Sequence, residues 1–459
     1  SAAPAASPGV VSPGPAPGQG GGVASAAPVV RAPAGEPTPQ TLETILAHAM
    51  DHAVEVAVAR AEVGLGDAAI EGAKPLLPSN PDIQFGLGAR LSDQGPGATF
   101  EMQVQLLQPI EVAGERRRRI AAGRKYREEL LAALERVRWE TYTQVHVAYN
   151  RALVARARAE MITRLLKFSE NLLDVTRRRA QAGEISELRV RVAEGELARA
   201  RQAKLAADLD YRLACVTLTR EGGYPIDALI APVGTLEPPL QVRDIEALIT
   251  SAAQDHPAVQ ATSASAERAK AQIVAADRDA WPHPYFGAYF ATEGSGISGV
   301  AGRQTVGLGM IGLPLPLWRR NQGARAQARA DLRVIESQRQ ALQYTLAQKI
   351  RWGAEALNTA SERVNSYARE VVPKFEANID LLERAYSLGE SSLVEVLVAQ
   401  ERFLRIQTEA INAYSSYFEA VFSLETAVGA PFGEYAVSMP APAPALAPVP
   451  EAPAQPAPR

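Results

Sequence analysis

Two stretches, Ile83-Gln-Phe-Gly-Leu-Gly-Ala-Arg-Leu91 and Phe100-Glu-Met-Gln-Val-Gln-Leu106, alternate without a slip. Ile83, Phe85, Leu87, Ala89 and Leu91 fall on one parity, and Gln84, Gly86, Gly88 and Arg90 on the other. Past a Gly-Pro-Gly turn, Phe100, Met102, Val104 and Leu106 alternate with Glu101, Gln103 and Gln105. Successive side chains of a strand point to opposite faces, so each stretch is a strand with one apolar face. About ten residues per segment with period two is the pattern of a membrane hairpin, one face to lipid and one to a wet lumen. A soluble hairpin on some other sheet is the alternative, but no further strands are at hand to build that sheet.

Outward from the hairpin the pattern becomes helical. Leu42 to Glu71 reads as a helix ended by Pro75 and Pro78. After Pro109 comes Glu115 to Gln181, 67 residues without a proline. At about 1.5 Å per residue this spans roughly 100 Å. A helix that long buries no globular core and needs partners along its length, as in coiled coils. Ala152, Ala155, Ala157 and Ala159, interleaved with Arg151, Arg156 and Arg158, permit close packing beside water. A return helix is expected from Glu184 to about Arg220.

The whole order then recurs. With a shift of 206 positions, Arg178, Gly183, Glu184, Ser186, Val190, Val192, Ala193 and Arg199 find identical partners. These are Arg384, Gly389, Glu390, Ser392, Val396, Val398, Ala399 and Arg405. Leu42-Glu43 answers Ile245-Glu246, Pro78 answers Pro282, and Pro109 answers Pro314. The second repeat offers a strand over Tyr285 to Thr292 and a Gly/Ser loop. Val306, Leu308 and Met310 then alternate with Thr305, Gly307 and Gly309. Long helices follow from Gln322 to about Leu388 and from Ser391 to Val428. Phe85, Phe100, Tyr285, Phe286, Tyr289 and Phe290 suit an interfacial girdle.

Composition narrows the function classes. Of 459 residues, 48 are Lys or Arg and 51 are Asp or Glu, for a net charge of -3. No overall field points to nucleic acid. Cys215 is the single cysteine, so neither a disulfide framework nor a Cys-rich zinc site can be built. No run of 18 apolar residues is present to make a membrane helix. No nucleophile–base arrangement, Gly-rich phosphate loop or Cys-x-x-Cys occurs, so neither an enzyme nor a cofactor is expected. The first 40 residues carry only Arg31 and Glu36 as charges, and the chain from Pro440 is similarly rich in Ala and Pro. Both ends read as disordered tails.

In hydrocarbon a spanning sheet must close, and four strands cannot close on themselves. Three chains would supply twelve. The expected fold is therefore a mixed α/β membrane protein: a trimeric 12-stranded barrel, four strands per chain, continuous with a long α-helical barrel. Its expected parts are a tail at 1–40, a first repeat at 41–221, a connector at 222–243, a second repeat at 244–429 and a tail at 430–459.

Three features admit two readings each. His48 and His52 stand four apart around Asp51, a spacing that suits zinc, yet no third ligand is evident. Arg116 to Arg119, with Arg124, Lys125 and Arg127, suit phosphate headgroups at a membrane rim or a merely solvated helix face. Gly183 and Gly389 are either helix stops in the left-handed conformation or turns kept for docking a partner.

Tyr386-Ser-Leu-Gly-Glu-Ser-Ser-Leu-Val-Glu-Val-Leu-Val-Ala-Gln400, with its weaker twin at Gly183, resembles the TolC family of outer-membrane efflux proteins. The resemblance runs from about Thr41 to Gly429. Gln108-Pro-Ile-Glu111 with Gly114, and Leu313-Pro-Leu-Pro-Leu-Trp-Arg-Arg-Asn-Gln-Gly323, resemble its cobalt–zinc–cadmium branch. The resemblance implies the passive exit duct of a tripartite system, with divalent heavy-metal cations as the expected cargo. Its partners would be a periplasmic adaptor, an inner-membrane RND-type proton-driven pump and outer-membrane lipid, with no nucleic acid. The place would be the outer membrane of a Gram-negative cell, reaching into the periplasm. Many relatives in that branch carry a lipidated N-terminal cysteine; Ser1 is not one, so a lipid anchor is an open expectation of the resemblance. Drug efflux and type I protein secretion remain alternative cargo routes, and a coiled-coil scaffold is the rival from another class. Adaptor docking is expected at Gly183, Glu184, Ser186, Gly389, Glu390, Ser391 and Ser392. The pore constriction is expected at Glu395 and Tyr386, and the strand-to-helix junction at Pro109, Pro314 and Pro316. In the family's best-known member two aspartates line the pore here; Glu395 matches the first and Val398 replaces the second. A Glu395 turned outward to Arg384 or Arg402 is the alternative.

Overall fold

The computed structural model describes residues 37–91, 98–236, 240–294 and 303–431. Among them the first half runs β1 (Thr38–Gln40), α1 (Leu42–His52), α2 (Val54–Ala73), β2 (Asp82–Leu91), β3 (Ala98–Pro109), α3 (Glu115–Gln181) and α4 (Glu187–Glu221). The second runs β4 (Ile230–Pro232), α5 (Ile245–Asp255), α6 (Pro257–Arg278), β5 (Tyr285–Gly294), β6 (Arg303–Gly312) and α7 (Gln322–Ser366). A π-helical turn (Tyr367–Val371), α8 (Val372–Ser387) and α9 (Leu393–Val428) complete it. No helix among these is long and apolar enough to cross a membrane.

Strands β2, β3, β5 and β6 form an antiparallel sheet in that order. Directly paired residues share a face, so the register sorts the side chains. Phe85 pairs with Val104 and Val104 with Phe290; Ile83 pairs with Leu106; Leu87 pairs with Met102. These make one apolar face, and Phe85, Leu87 and Phe290 are exposed on it. The other face carries Gln84, Gln103, Gln105 and Tyr289, whose hydroxyl donates to Gln103 Oε1 at 3.2 Å. The last strand behaves differently from the first three. Val306, Leu308 and Met310 pair with Ala291, Tyr289 and Gly287, and so lie on the glutamine face. Thr305, Gly307 and Gly309 fall on the apolar face, where Ile311 is the large side chain. Alternation alone says that two faces differ; only the pairing says which is which.

Two expectations need correction here. Thr38–Gln40, read as tail, instead pairs in parallel with Ile230–Pro232 inside the connector. The Thr38 N–H donates to Leu229 O at 2.8 Å. Residues 1–36 and 432–459 of the expected tails lie outside the described residues, as do the Gly-Pro-Gly turn and the Gly/Ser loop. The single helix expected from Leu42 to Glu71 is two helices, broken where Ala53 turns extended at ψ 137°. The break brings Ala53 against Gly223, where a Cβ would come within 2.7 Å of the Ala53 nitrogen. Gly223 also holds φ +71°, so glycine serves twice at this crossing.

Helices α3 and α4 form one long hairpin, and α7 through α9 the other. In each half of the chain the long helices meet the short ones in a compact apolar cluster. Ile45, Leu46 and Val56 pack on Trp139, Tyr142, Val145 and Tyr149 of α3. Ala252 packs with Ile350 and Leu357 of α7 and Tyr417 and Leu424 of α9. Close approach depends on small residues: a Cβ on Gly66 of α2 would meet the Arg127 Cα of α3 at 2.7 Å. The two halves of the chain are tied by a buried pair, His146 Nδ1 to Glu425 Oε2 at 2.9 Å, between α3 and α9.

The π-turn interrupts what was expected as one helix from Gln322 to Leu388. The Val372 N–H reaches back five residues to Tyr367 O. Pro373 follows with no N–H to give. The widened turn and the missing donor thus fall together, where the regular four-residue ladder is interrupted.

Candidate functional site: the two helical tips

Both tips close with the same turn. Gly183 has φ +79° and Gly389 φ +82°. Glu184 N–H donates to Arg179 O at 3.0 Å, and Glu390 N–H to Ala385 O at 2.8 Å. These six-residue bonds with a left-handed glycine are the Schellman stop, which satisfies the last free carbonyls of a helix. Gly183, Glu184, Gly389 and Glu390 are all exposed.

The restarts differ. Ser186 and Ser392 are both N-caps. Ser392 Oγ accepts from Glu395 N–H at 3.3 Å, and Glu395 Oε2 accepts from Ser392 N–H at 2.7 Å. This is a capping box, two orphan donors satisfied reciprocally. Arg189 stands where Glu395 does in the repeat, so the first tip has no such box. The Ser392 N–H, then its side chain, hold the Glu395 carboxyl below its usual range. Its carboxylate goes to this box rather than to Arg384 or Arg402. Glu395, Val394 and Val398 share the exposed side of α9.

Tyr386 is buried against Leu172 of α3 and Leu393 and Val396 of α9. Thr176 Oγ1 donates to Leu172 O at 2.6 Å, so the Tyr386 hydroxyl donates to Thr176 Oγ1 at 2.9 Å. Arg179 completes the lock. Its Nη1 donates to Tyr386 O at 3.0 Å, and its Cζ lies 5.1 Å from the Tyr386 ring centroid. Its Nε donates to Glu184 Oε2 at 2.9 Å, across its own turn. One guanidinium thus holds both tips together. Sequence reading named Tyr386 and missed Thr176 and Arg179. The repeat comparison hides Arg179, which faces Ala385 at the same shift. Beside the tips, a groove of about 350 Å³ runs between α4 and α9 over α3, lined by Met161, Leu165, Ala200, Leu397 and Val398 among others.

At the far end the prolines mark the junction. Pro109 ends β3 opposite Tyr285, and the Ile110 N–H donates to Pro284 O at 2.8 Å. Gly114 at φ +77° starts α3. Glu111 Oε2 accepts from Arg116 N–H at 3.0 Å, and its other oxygen pairs with Arg119. Glu115 is fully buried and accepts from Ala113 N–H at 2.9 Å. Two of the four consecutive arginines therefore work within the fold, and Arg117 and Arg118 remain exposed. Pro314 and Pro316 lie in the linker between β6 and α7. Asn321, at φ +55°, starts α7 and donates to Ala276 O at 3.1 Å.

His48 and His52 stack with ring centroids 4.3 Å apart, and His48 stacks on Tyr224 at 3.9 Å. His48 Nδ1 bonds Gly222 O at 2.9 Å, and Asp51 pairs with Arg60. Among the described residues no three His, Cys, Asp or Glu side chains converge to hold a metal ion.

The model of the outer membrane efflux protein family matches residues 46–223 and 248–430. The chain belongs to that family. It is 24% identical over 393 residues to the cobalt-zinc-cadmium resistance protein CzcC of Cupriavidus metallidurans, covering 85% of this chain and 90% of the relative. The fold is similar to that of the Campylobacter jejuni CmeC outer membrane channel, with TM-score 0.64 and 14% identity over 84% of this chain and 85% of that one. A membrane protein of Pseudomonas aeruginosa gives TM-score 0.66 at 18% identity over 84% and 90%. The channel protein CusC gives 0.62 at 14% over 85% and 92%. In this efflux protein, then, the sheet and the tips sit at opposite ends of the long helices.

Proposed function

We propose that the chain is one protomer of a trimeric outer-membrane duct, the passive exit of a tripartite efflux system. The observation that carries the reading is the sheet. Its apolar face is exposed, and its outer strands β2 and β6 each have one unpaired edge among the described residues. Hydrocarbon tolerates neither an open edge nor a polar face, so the sheet needs more strands and a wet interior. Three copies give twelve strands, with Gln84, Gln103 and Gln105 to the lumen and Phe85, Leu87 and Phe290 to lipid. Val306, Leu308 and Met310 then make the lumen wall less polar along β6.

The two repeats, 41–221 and 244–429 about a connector at 222–243, supply four long helices per copy for a tube below the barrel. Its tips, Gly183, Glu184, Ser186, Gly389, Glu390, Ser391 and Ser392, meet a periplasmic adaptor. An inner-membrane RND-type pump delivers the cargo. Tyr386 locks the constriction from within the wall, and Glu395 contributes an acidic ring that favours cations. The relative's name supports cobalt, zinc or cadmium ions as cargo. The experiment is loss of the gene followed by growth on graded salts of those metals. Sensitivity restored by this chain supports the reading; unchanged tolerance together with new sensitivity to organic drugs would move the cargo to drugs.

A further inference from the structure

Pro109, Tyr285 and Gly312 lie in one row of the sheet. From that row the first repeat reaches its helix through residues 110–114, and the second needs 313–321. The two linkers spend their residues in opposite ways. The first turns its Glu111 inward onto the Arg116 N–H and exposes one large apolar side chain, Val112. The second turns outward: Leu313, Leu315, Leu317 and Trp318 are exposed, Trp318 at 83%.

This exposure is held in place. The Leu317 N–H donates to Leu315 O at 2.9 Å, and Arg320 Nε to Pro316 O at 3.0 Å. Gln322 Nε2 donates to Trp318 O at 2.7 Å, while its Oε1 accepts from Arg320 N–H at 2.8 Å. Pro314 and Pro316 fix two further φ angles. A loop ordered this way cannot fold its leucines away from water. It also continues the apolar face, because Ile311, 78% exposed, is the next-to-last residue of β6 on that face. Directly after Trp318 come Arg319 and Arg320, with no acidic residue anywhere from 313 to 321. Arg319 has no ion-pair partner among the described residues. Apolar side chains, a tryptophan and the exposed Arg319 guanidinium just past a membrane strand match the boundary between acyl chains and phosphate groups.

We propose that the loop Leu313–Arg320 is a lipid-docking site that seats in the leaflet nearest the helices and selects anionic phospholipid headgroups. The inference rests on the membrane reading of the sheet and adds to it a ligand class and the residues that take it. Leu315, Leu317 and Trp318 enter the acyl boundary, and Arg319 pairs with the headgroup phosphate. Each guanidinium near an anionic surface is worth about five-fold in affinity.

The test uses the full chain in vesicles of phosphatidylethanolamine, with or without phosphatidylglycerol, one of them brominated near the headgroup end of its acyl chains. Tryptophan emission should be quenched more by brominated phosphatidylglycerol than by brominated phosphatidylethanolamine at equal bromine density. Trp318→Phe should remove that difference, and Arg319→Gln should reduce the preference about five-fold. Equal quenching by the two lipids overturns the headgroup selection. Quenching unchanged by Trp318→Phe overturns the docking, as does a Trp318 emission that shifts only when the oligomer is dissociated, which would assign the loop to a neighbouring copy. Conductance of the same preparations in a planar bilayer separates the two readings: no channel counts against the duct, whereas a channel with an unquenched Trp318 counts against the loop alone.

Discussion

Replacing Arg179 by Ala removes the guanidinium that holds Tyr386 O and Glu184 together. Its bond to the carbonyl is charge-assisted, worth about 1.5–3 kcal/mol when well shielded. The Arg179 side chain is only 17% exposed, so most of that range applies. The ring contact adds about 0.5 kcal/mol, and the pair with exposed Glu184 adds little. A loss of about 2 kcal/mol per protomer multiplies the opening equilibrium of the tips roughly thirty-fold. Tyr386→Phe is the graded control. It deletes one neutral hydrogen bond of about 1 kcal/mol and leaves Thr176 satisfied by Leu172 O, so the shift should be about five-fold. Amide exchange of residues 384–392 reads the opening directly, and single-channel conductance reads its effect on passage. Both should rise in the order wild type, Tyr386→Phe, Arg179→Ala. Assembled channels in which Arg179→Ala leaves both measurements unchanged would refute the lock.

Three further outcomes follow from the geometry. Arg in place of Val104 should cost about 2–4 kcal/mol of membrane folding stability, and Arg in place of Gln103 much less, measured by urea titration in vesicles; equal costs argue against two unlike faces. Glu395→Gln should weaken the second tip's capping box and, in trimers that still assemble, lower cation preference and block by divalent ions in planar bilayers; unchanged selectivity removes Glu395 from the constriction. His256 is held neutral by burial, its pKa below the ordinary value; the bond from its Nε2 to Thr426 O opposes this only in part. Its Nδ1 accepts from Ala258 N–H, a bond that protonation forbids. The unfolded chain takes the proton more readily, so this stability is present above about pH 6.5 and is lost as pH falls through the folded-state value. Exchange of the amides at 426–429 should accelerate on acidification in the native chain and not in His256→Asn, which keeps a cap acceptor.

How much of this was legible in the sequence depends on the range of the interaction. The strands showed through period two, and α3 through the absence of proline across its length. Gly183 and Gly389 showed because only a left-handed residue closes such a turn cheaply. The break at Ala53 carries no proline of its own, yet Pro257 at the matching place in the second repeat was a signal for it. The faces of β6 were not legible, since the pairing with β5 decides them. Nothing local connects Arg179 to Tyr386, or Thr38 to Ile230; both contacts join segments far apart in the chain. The capping box, by contrast, was open to view as Ser392 followed three residues later by Glu395.

The π-turn at Tyr367–Val371 bears on how the two halves of the molecule tolerate change in length. Removing one residue from an α-helix rotates everything beyond it by about 100°. In α3 such a deletion would swing Thr176 and Arg179 away from Tyr386 and unpair the tips. A π-turn is a helix already carrying one residue beyond its regular winding, so losing one there lets the turn relax to ordinary α geometry with both flanks still in phase. The second repeat therefore contains a place where chain length can vary while α7 keeps its face to α9 and α8 still delivers Tyr386 to its pocket.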